Sequence, residues 1–306
     1  MLEALLMGNY VIPTRVFPEG PFALFGGGYD SVGTSIGYTD LYVYANDTVA
    51  PGAALRQPGF PAAAAGNYTS GIFGTGSNAE NLGRSEKYTY SNHTVSYGAA
   101  LDPALSSSSA AGNATMCIFG GVFYYTRTYK YLYSTDSVTP GTVLSTARYG
   151  VAAAGNSTIG IFAGGAPSSN VYSALTDIYT YLSDTVTPGG SLGLARHSLA
   201  AAGNSTIGIF AGGTYKSGTT SAITAYMDRY TYSNNTRVPG LTLSRPTTIL
   251  AATGNATVGI FGGGMNGIVY AYTDKYSYAA GTFVPGTSLG LARNSLGACS
   301  SFPGGF

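Results

Sequence analysis

Side chains able to do covalent or metal chemistry are few in this chain. Its 306 residues include two histidines, His93 and His197, and two cysteines, Cys117 and Cys299. Copper and zinc sites need such ligands clustered, and a nucleophilic triad needs a histidine beside its serine. Here they are scattered. Cys117 stands where parallel stretches carry Gly160, Gly208 and Gly259, and Cys299 where they carry Ala154 and Ala202. Both cysteines read as small buried hydrophobes. No metal, no cofactor and no catalytic residue is expected. One acid, Glu86, and a row of arginines, Arg56, Arg148, Arg196, Arg245 and Arg293, form the remaining acid/base set. The plainer role for that row is guanidinium donation to nearby loop carbonyls.

The elements that must position these residues repeat. "AAAGNSTIGIFAGG" occurs at 152–165 and again at 200–213, with degraded copies elsewhere. Its phenylalanine recurs as Phe25, Phe73, Phe119, Phe162, Phe210 and Phe261, at gaps of 48, 46, 43, 48 and 51 residues. A period of this size means a repeat architecture. In the unit 196–245, "HSLAAAGN" reads as a first strand and "STIGIFAGG" as a second. "MDRYTYSNNT" is a third with alternating tyrosines, and "RVPGLTLS" a short fourth. Four short antiparallel strands joined by turns make one propeller blade. Ala and Gly suit innermost strands that converge on an axis. The Gly-Asn that follows them reads as a positive-φ hairpin signal. Pro51, Pro140, Pro188, Pro239 and Pro285 mark the fourth strand as an edge. Third strands carry an acidic-x-Tyr-x-Tyr pattern, as in Asp228, Tyr230 and Tyr232. Residues i and i+2 share a face, so twelve tyrosines are assigned to blade-to-blade packing.

The first blade lacks a clear first strand, while "LARNSLGACSS" at 291–301 is a first strand with no second. The expectation is an all-β six-bladed propeller over 21–301, closed by pairing of the C-terminal strand with the N-terminal blade. Segments 1–20 and 302–306 flank it. "ALLMGN" at 4–9 is the competing candidate for the missing strand.

A small-residue strand, a turn, an apolar strand ending in Gly-Gly and then a Tyr strand, with an Arg ahead of the first strand, resembles the kelch repeat. The likeness covers about 21–301. The usual fourth-strand Trp is absent, and no adaptor domain precedes the array. The Asn/Thr/Tyr-rich composition also resembles arrays in bacterial surface and bacteriophage tail-associated proteins. The kelch likeness implies a galactose-oxidase-like fold. Copper chemistry of the oxidase kind would need histidines on one face. His93 is placed at a third-to-fourth turn and His197 ahead of a first strand, on opposite faces. A sugar mutarotase-like activity is the enzymatic alternative, and a purely structural propeller in a larger assembly is another.

Charged residues make up only 9% of the chain and the net charge is +1, without the basic stripe that nucleic acid needs. No apolar run is long enough for a membrane span. The start, "MLEALLMGNYVIP", does not read as a signal peptide. Eight Asn-x-Ser/Thr triplets (Asn46, Asn67, Asn92, Asn113, Asn156, Asn204, Asn234, Asn255) fall on turns of one face and read as turn residues. Unlike the strands, the second-to-third-strand loops differ from repeat to repeat and carry tyrosines. A rigid scaffold with variable loops on one face is how binding proteins are built, and Tyr with Ser, Gly and Asn is a paratope mixture. The expectation is a non-enzymatic binding module, extracellular or virion-associated. Its partner would be a cell-surface glycan or protein, with other virion or surface-assembly subunits as further partners. Its contacts would be Tyr29, Tyr124, Tyr125, Tyr172, Tyr215, Lys216 and Tyr270.

Overall fold

The computed structural model describes residues 4–7, 10–13, 17–18, 20–59, 61–75, 83–101, 107–122 and 125–301. Among these residues lie six four-stranded antiparallel sheets. Blade 1 is Phe22–Gly26, Thr39–Val43 and Thr48–Pro51, and its innermost strand is the C-terminal Gly297–Ser300. Blades 2 to 6 take their innermost strands from Pro61–Gly66, Ser109–Gly112, Tyr149–Gly155, Ala200–Gly203 and Ala251–Gly254. These six strands neighbour one another in a closed cycle, so the sheets form a β-propeller. The ring is closed by backbone pairing of Ala23 with Ser300, Leu24 with Cys299 and Phe25 with Ala298. Ala4–Met7 instead pairs with Tyr10–Pro13 in a hairpin of its own. The first strand of blade 5 is shorter than the sequence suggested. His197 leaves it, and Arg196–His197 pairs with a loop hairpin, Thr214–Ser217 and Thr220–Ile223.

The core lies between blades, not on the axis. Each of the six buried clusters joins two neighbouring blades; one sets Ala152, Ile161 and Ala163 of blade 4 against Phe210, Tyr230 and Tyr232 of blade 5. Gly26 gives the clearest reason for the repeated motif. A Cβ there would lie 2.8 Å from the Phe73 ring of the next blade. Gly26, Gly74, Gly120 and Gly262, each directly after a marker phenylalanine, are thus the seats for the following blade's phenylalanine, and Ala163 and Ala211 stand at this position in blades 4 and 5. The Pro-Gly of the outer strand works alike: a Cβ on Gly141 would lie 2.5 Å from the Tyr179 hydroxyl of the next blade.

Two series of hydrogen bonds, four in each, tie neighbouring blades together. On the face that bears the second-to-third loops (the upper face), Ser107, Gly150, Ser198, Ile249 and Ser295 all have φ between 48° and 66°. Gly150 N–H donates to Ser107 O (3.0 Å), Ser198 to Gly150 (2.7 Å), Ile249 to Ser198 (2.9 Å) and Ser295 to Ile249 (3.1 Å). Blade 2 has Pro61 at this position, which has no N–H to give, and its register shifts between Pro61 and Ala63. On the lower face, Asn Nδ2 atoms donate to the next blade: Asn67 to Ala114 O (3.2 Å), Asn113 to Ser157 O (3.0 Å), Asn156 to Ser205 O (3.3 Å) and Asn204 to Ala256 O (3.3 Å).

The Gly-Asn turn therefore differs from the sequence expectation. Neither residue is among those with positive φ. Asn204 Oδ1 accepts from Thr206 N, Thr206 Oγ1 and Ile207 N at 2.9, 2.9 and 3.0 Å, an Asx turn. The hydroxyl that makes the triplet resemble a glycan acceptor is what completes this turn. Gly155 is required for space instead: a Cβ would meet Ile159 O at 2.4 Å.

Candidate binding face

The arginine row resolves into two kinds of residue. Arg148, Arg196 and Arg293 are fully buried and each meets the acid of its own blade, Asp177 (2.5 Å), Asp228 (2.8 Å) and Asp40 (2.5 Å). They also donate to loop carbonyls: Arg196 to Phe210 O, Gly212 O and Leu194 O, and Arg293 to Gly27 O and Tyr38 O. Burial pushes the Asp40 carboxyl up, opposed by the Arg293 charge and by N–H and guanidinium donors. These clamps fix the base of the upper loops of blades 1, 4 and 5 and spend their charge on the acids. Arg245 and Arg56 belong to a different position. Arg196 follows the buried Leu192 by four residues, whereas Arg245 follows Leu243 by two and Arg56 follows Leu55 by one. Arg245 lies 3.6 Å from the centre of the Tyr272 ring, and Asp274 accepts from Ser244 instead. Glu86 accepts the backbone N–H groups of Arg56 (2.6 Å) and Gln57 (2.9 Å). This acid is thus buried in the wall of blade 2, and burial pushes its carboxyl up.

The channel has two chambers. Ala64, Ala110, Ala153, Ala201, Ala252 and Ala298, one per inner strand, border both. Above this alanine ring lies a cavity of about 180 Å³, and below it one of about 90 Å³. The upper wall carries Ser107, Ser108, Ser109, Ser198 and Ser295 with Val151, Leu199, Leu250 and Leu296, and no charged residue lines it.

Outside the upper chamber the structure gathers part of the expected set. Tyr172 lies 4.5 Å from His197, ring centre to ring centre, and Tyr149 lies 5.7 Å from it on an edge. Lys216 Nζ is 5.6 Å from the Tyr172 ring and donates to Asn170 Oδ1 at 3.0 Å. The Tyr172 hydroxyl meets Ser221 Oγ at 2.7 Å. Burial pulls the His197 imidazole below its ordinary value, which favours the neutral ring. Tyr270 belongs to a second cluster with Tyr272 (5.7 Å) and Arg245 (5.4 Å). Tyr125 is exposed, with Arg127 5.1 Å from its ring. Tyr29 bridges to Asn294 at the ring closure. Tyr215 does not top its loop. It pairs with Arg196 at the base of the hairpin, whose exposed turn is Gly218 and Thr219. Tyr124 lies outside the described residues.

Sequence reasoning missed Tyr149, His197 and Asn170. A signal existed for the first two. The residue just ahead of Ser107, Gly150, Ser198, Ile249 and Ser295 is Ser106, Tyr149, His197, Thr248 and Asn294 in turn, so the sequence varies directly beside strands that hardly vary.

His93 sits on the lower face, stacked 3.9 Å from Phe17, and His197 on the upper, as expected. Both cysteines are buried and free, their thiols pushed up to about 12 by burial. Among the described residues no group of His, Cys, Asp or Glu is arranged to hold a metal ion, and no helix is long and apolar enough to cross a membrane.

The fold is a β-propeller. Among solved structures, one titled "Structure of YjhT" is similar, with a TM-score of 0.70 and 11% identity. The match covers 87% of this chain and 97% of that one. At that identity the likeness speaks for fold alone. No protein-family model matches the chain, and no curated protein matches it.

Proposed function

We propose that this propeller is a non-enzymatic binding module that recognises a cell-surface glycan or protein through its upper face. One observation carries the reading. The repeat-to-repeat variation collects on that face, where it forms a platform of Tyr149, Tyr172, His197 and Lys216 beside the channel mouth. The exposed apolar residues Val32, Val171 and Ile268 stand on the same loops. The placement of Glu86, spent on backbone N–H groups of the blade wall, supports binding over a mutarotase-like reaction. An extracellular or virion-associated setting, with other assembly subunits as partners, rests on the compositional likeness to surface and tail-associated arrays.

The test is binding to a glycan array and to whole candidate host cells. Replacing Tyr125, Tyr172 and Tyr270 by Ala should abolish binding, since aromatic hot spots cost about 2 kcal/mol or more each when truncated. Replacing Asn156 and Asn204 on the lower face should leave it intact. The opposite pattern would place the site on the wrong face.

A further inference from the structure

Five of the six blades carry a proline on their outer edge, and blade 2 does not. Pro51, Pro140, Pro188, Pro239 and Pro285 stand opposite Asp40, Tyr129, Asp177, Asp228 and Asp274 of the third strands. In blade 2 that position, opposite Glu86, is Tyr97 on the strand Thr94–Gly98. The residue after the proline turns its N–H inward: Gly52 donates to Thr39 O (2.9 Å), Gly189 to Thr176 O (2.7 Å) and Gly240 to Met227 O (3.1 Å). Neighbouring residues of an antiparallel ladder face alternate sides. The proline nitrogen, and the Tyr97 N–H in its place, therefore face away from the sheet. Val95, two residues earlier, faces outward too. Blade 2 thus offers two successive outward N–H groups with their carbonyls, where each other blade offers one N–H followed by a proline.

Proline on an outer strand guards against pairing with another chain. Its replacement in blade 2 leaves the ring's geometry intact, because the glycine that follows is kept. A Cβ on Gly98 would lie 3.0 Å from the Tyr131 hydroxyl of blade 3, as one on Gly189 would lie 2.8 Å from that of Tyr230. Among the described residues no strand pairs with the outer side of Thr94–Gly98. The edge also carries charge of one sign. The guanidinium carbons of Arg56 and Arg84 lie 4.9 and 5.0 Å from the centre of the half-exposed Tyr97 ring. Arg56 Nη1 reaches Val95 O, an outward carbonyl, at 3.5 Å. Glu86, the acid of this blade, is buried and accepts the backbone N–H groups of Arg56 and Gln57.

The geometry points to strand addition: blade 2 takes an antiparallel fifth strand from an extended segment of another protein, whose acidic side chain lies beside Tyr97 and meets Arg56 and Arg84. Main-chain bonds to Val95 and Tyr97 supply affinity, and alternate side chains supply specificity. Residues two apart share a face, so the partner's acid has an apolar neighbour two positions away. That neighbour lies against Val95, which packs on the cluster of Leu41 and Tyr88. A second copy of this chain is a poorer occupant. Pairing two such edges gathers four guanidinium groups, and like charges opposed across a ladder destabilise it. This outer rim is separate from the upper-face platform, so the two sites stand or fall independently.

The experiment uses the full chain and a fluorescein-labelled peptide of alternating pattern, with one glutamate between two valines at i−2 and i+2 and threonines elsewhere. Fluorescence polarisation reads binding, and hydrogen exchange reads the place. The peptide should bind, protect the amides of 94–98, and bind less as salt rises to about 0.5 M. A lysine in place of its glutamate should weaken binding about fivefold or more. Tyr97→Pro restores what the other five blades have. It should weaken binding about tenfold or more while the melting temperature stays within a few degrees. Tyr97→Phe keeps the N–H and should bind like the parent. A peptide N-methylated at its glutamate and valines, whose N–H groups would face the edge, should not bind. Tyr97→Pro binding at parent strength, equal binding of the lysine peptide, or no binding of the glutamate peptide by about 1 mM overturns the inference. Self-association that Tyr97→Pro abolishes also overturns it, by giving the edge to a second copy. Should Tyr97→Pro unfold the chain, unchanged binding of the N-methylated peptide is the result that overturns it.

Discussion

The two faces of the ring are made by the same repeat and have opposite fates. On the lower face four of the connections repeat one contact. Asn67, Asn113, Asn156 and Asn204 reach one blade forward, and third-strand residues meet the next blade's turn. Those seams are matched in pairs. Lys87 meets Asp136 at 4.0 Å, Lys275 meets Asp47 at 3.1 Å and Lys130 bonds Asp184. Where the turn residue is Asn235 or His93, the preceding blade has Ile178 or Leu41 at the lysine position. On the upper face the loops differ from blade to blade, and contacts between neighbouring loops, such as Tyr172 with Ser221 and Lys216 with Asn170, use residues particular to one pair of blades. The difference teaches where sequence freedom was available: the lower connections hold the ring shut, and the upper ones stay open to a partner.

Four outcomes would break or sharpen that contrast. The largest is closure. Removing 291–306 deletes the inner strand of blade 1 and Arg293 together. A drop of about 10 °C or more in melting temperature is expected. A truncated chain that melts like the parent would mean the ends do not hold the ring.

Next come the clamps. Arg196→Ala leaves Asp228 buried without its main partner and should cost about 3–5 kcal/mol in denaturant unfolding. Arg245→Ala loses a half-exposed contact with Tyr272 and should cost under about 1 kcal/mol. Equal costs would show that the two arginines play one role after all.

Smaller still is the acid response of the seams. Burial raises the Asp184 carboxyl, but Lys130, the Tyr179 hydroxyl and the Thr142 N–H outweigh it and hold it at about 2. A carboxylate held below its unfolded value stabilises the fold above about pH 4, and that stability is lost as the pH falls through about 2. Asp184 is about a third exposed, so the effect is modest. Hydrogen exchange should show the seam between blades 3 and 4 loosening in acid before that between blades 4 and 5, where Ile178 and Asn235 hold the positions of Lys130 and Asp184. Simultaneous loosening, or no change on Asp184→Asn, would remove the charged seams from the account.

Much of this was legible in the chain, and the limits have physical causes. The phenylalanine period and the unpaired strand at 291–301 announced the ring and its closure, because an unpaired inner strand has nowhere else to go. The arginine row was over-read. Register around Arg245 and Arg56 is fixed by the leucine ahead of each, and a shift of two residues exchanges a buried clamp for a ring contact. Gly155 looked like a turn glycine, yet its reason is the carbonyl of Ile159 across the turn. The hairpin from Thr214 to Ile223 was read as an irregular loop because its polar strands have no buried face. The meeting of Tyr172 with His197 depends on how adjacent blades splay, which no local pattern records.

The account's central claim is that partners dock on the upper face, and one labelling measurement addresses it. Cys117 and Cys299 are buried with thiols near 12, so a cysteine introduced on the surface is the one that reacts at neutral pH. Thr219→Cys, at the upper hairpin turn, and Leu182→Cys, at a 99% exposed lower turn, can each carry a bulky polyethylene glycol group. Binding to the array or the cells should persist when the group hangs from position 182 and vanish when it hangs from position 219. Loss from position 182 with full binding from position 219 would contradict the claim.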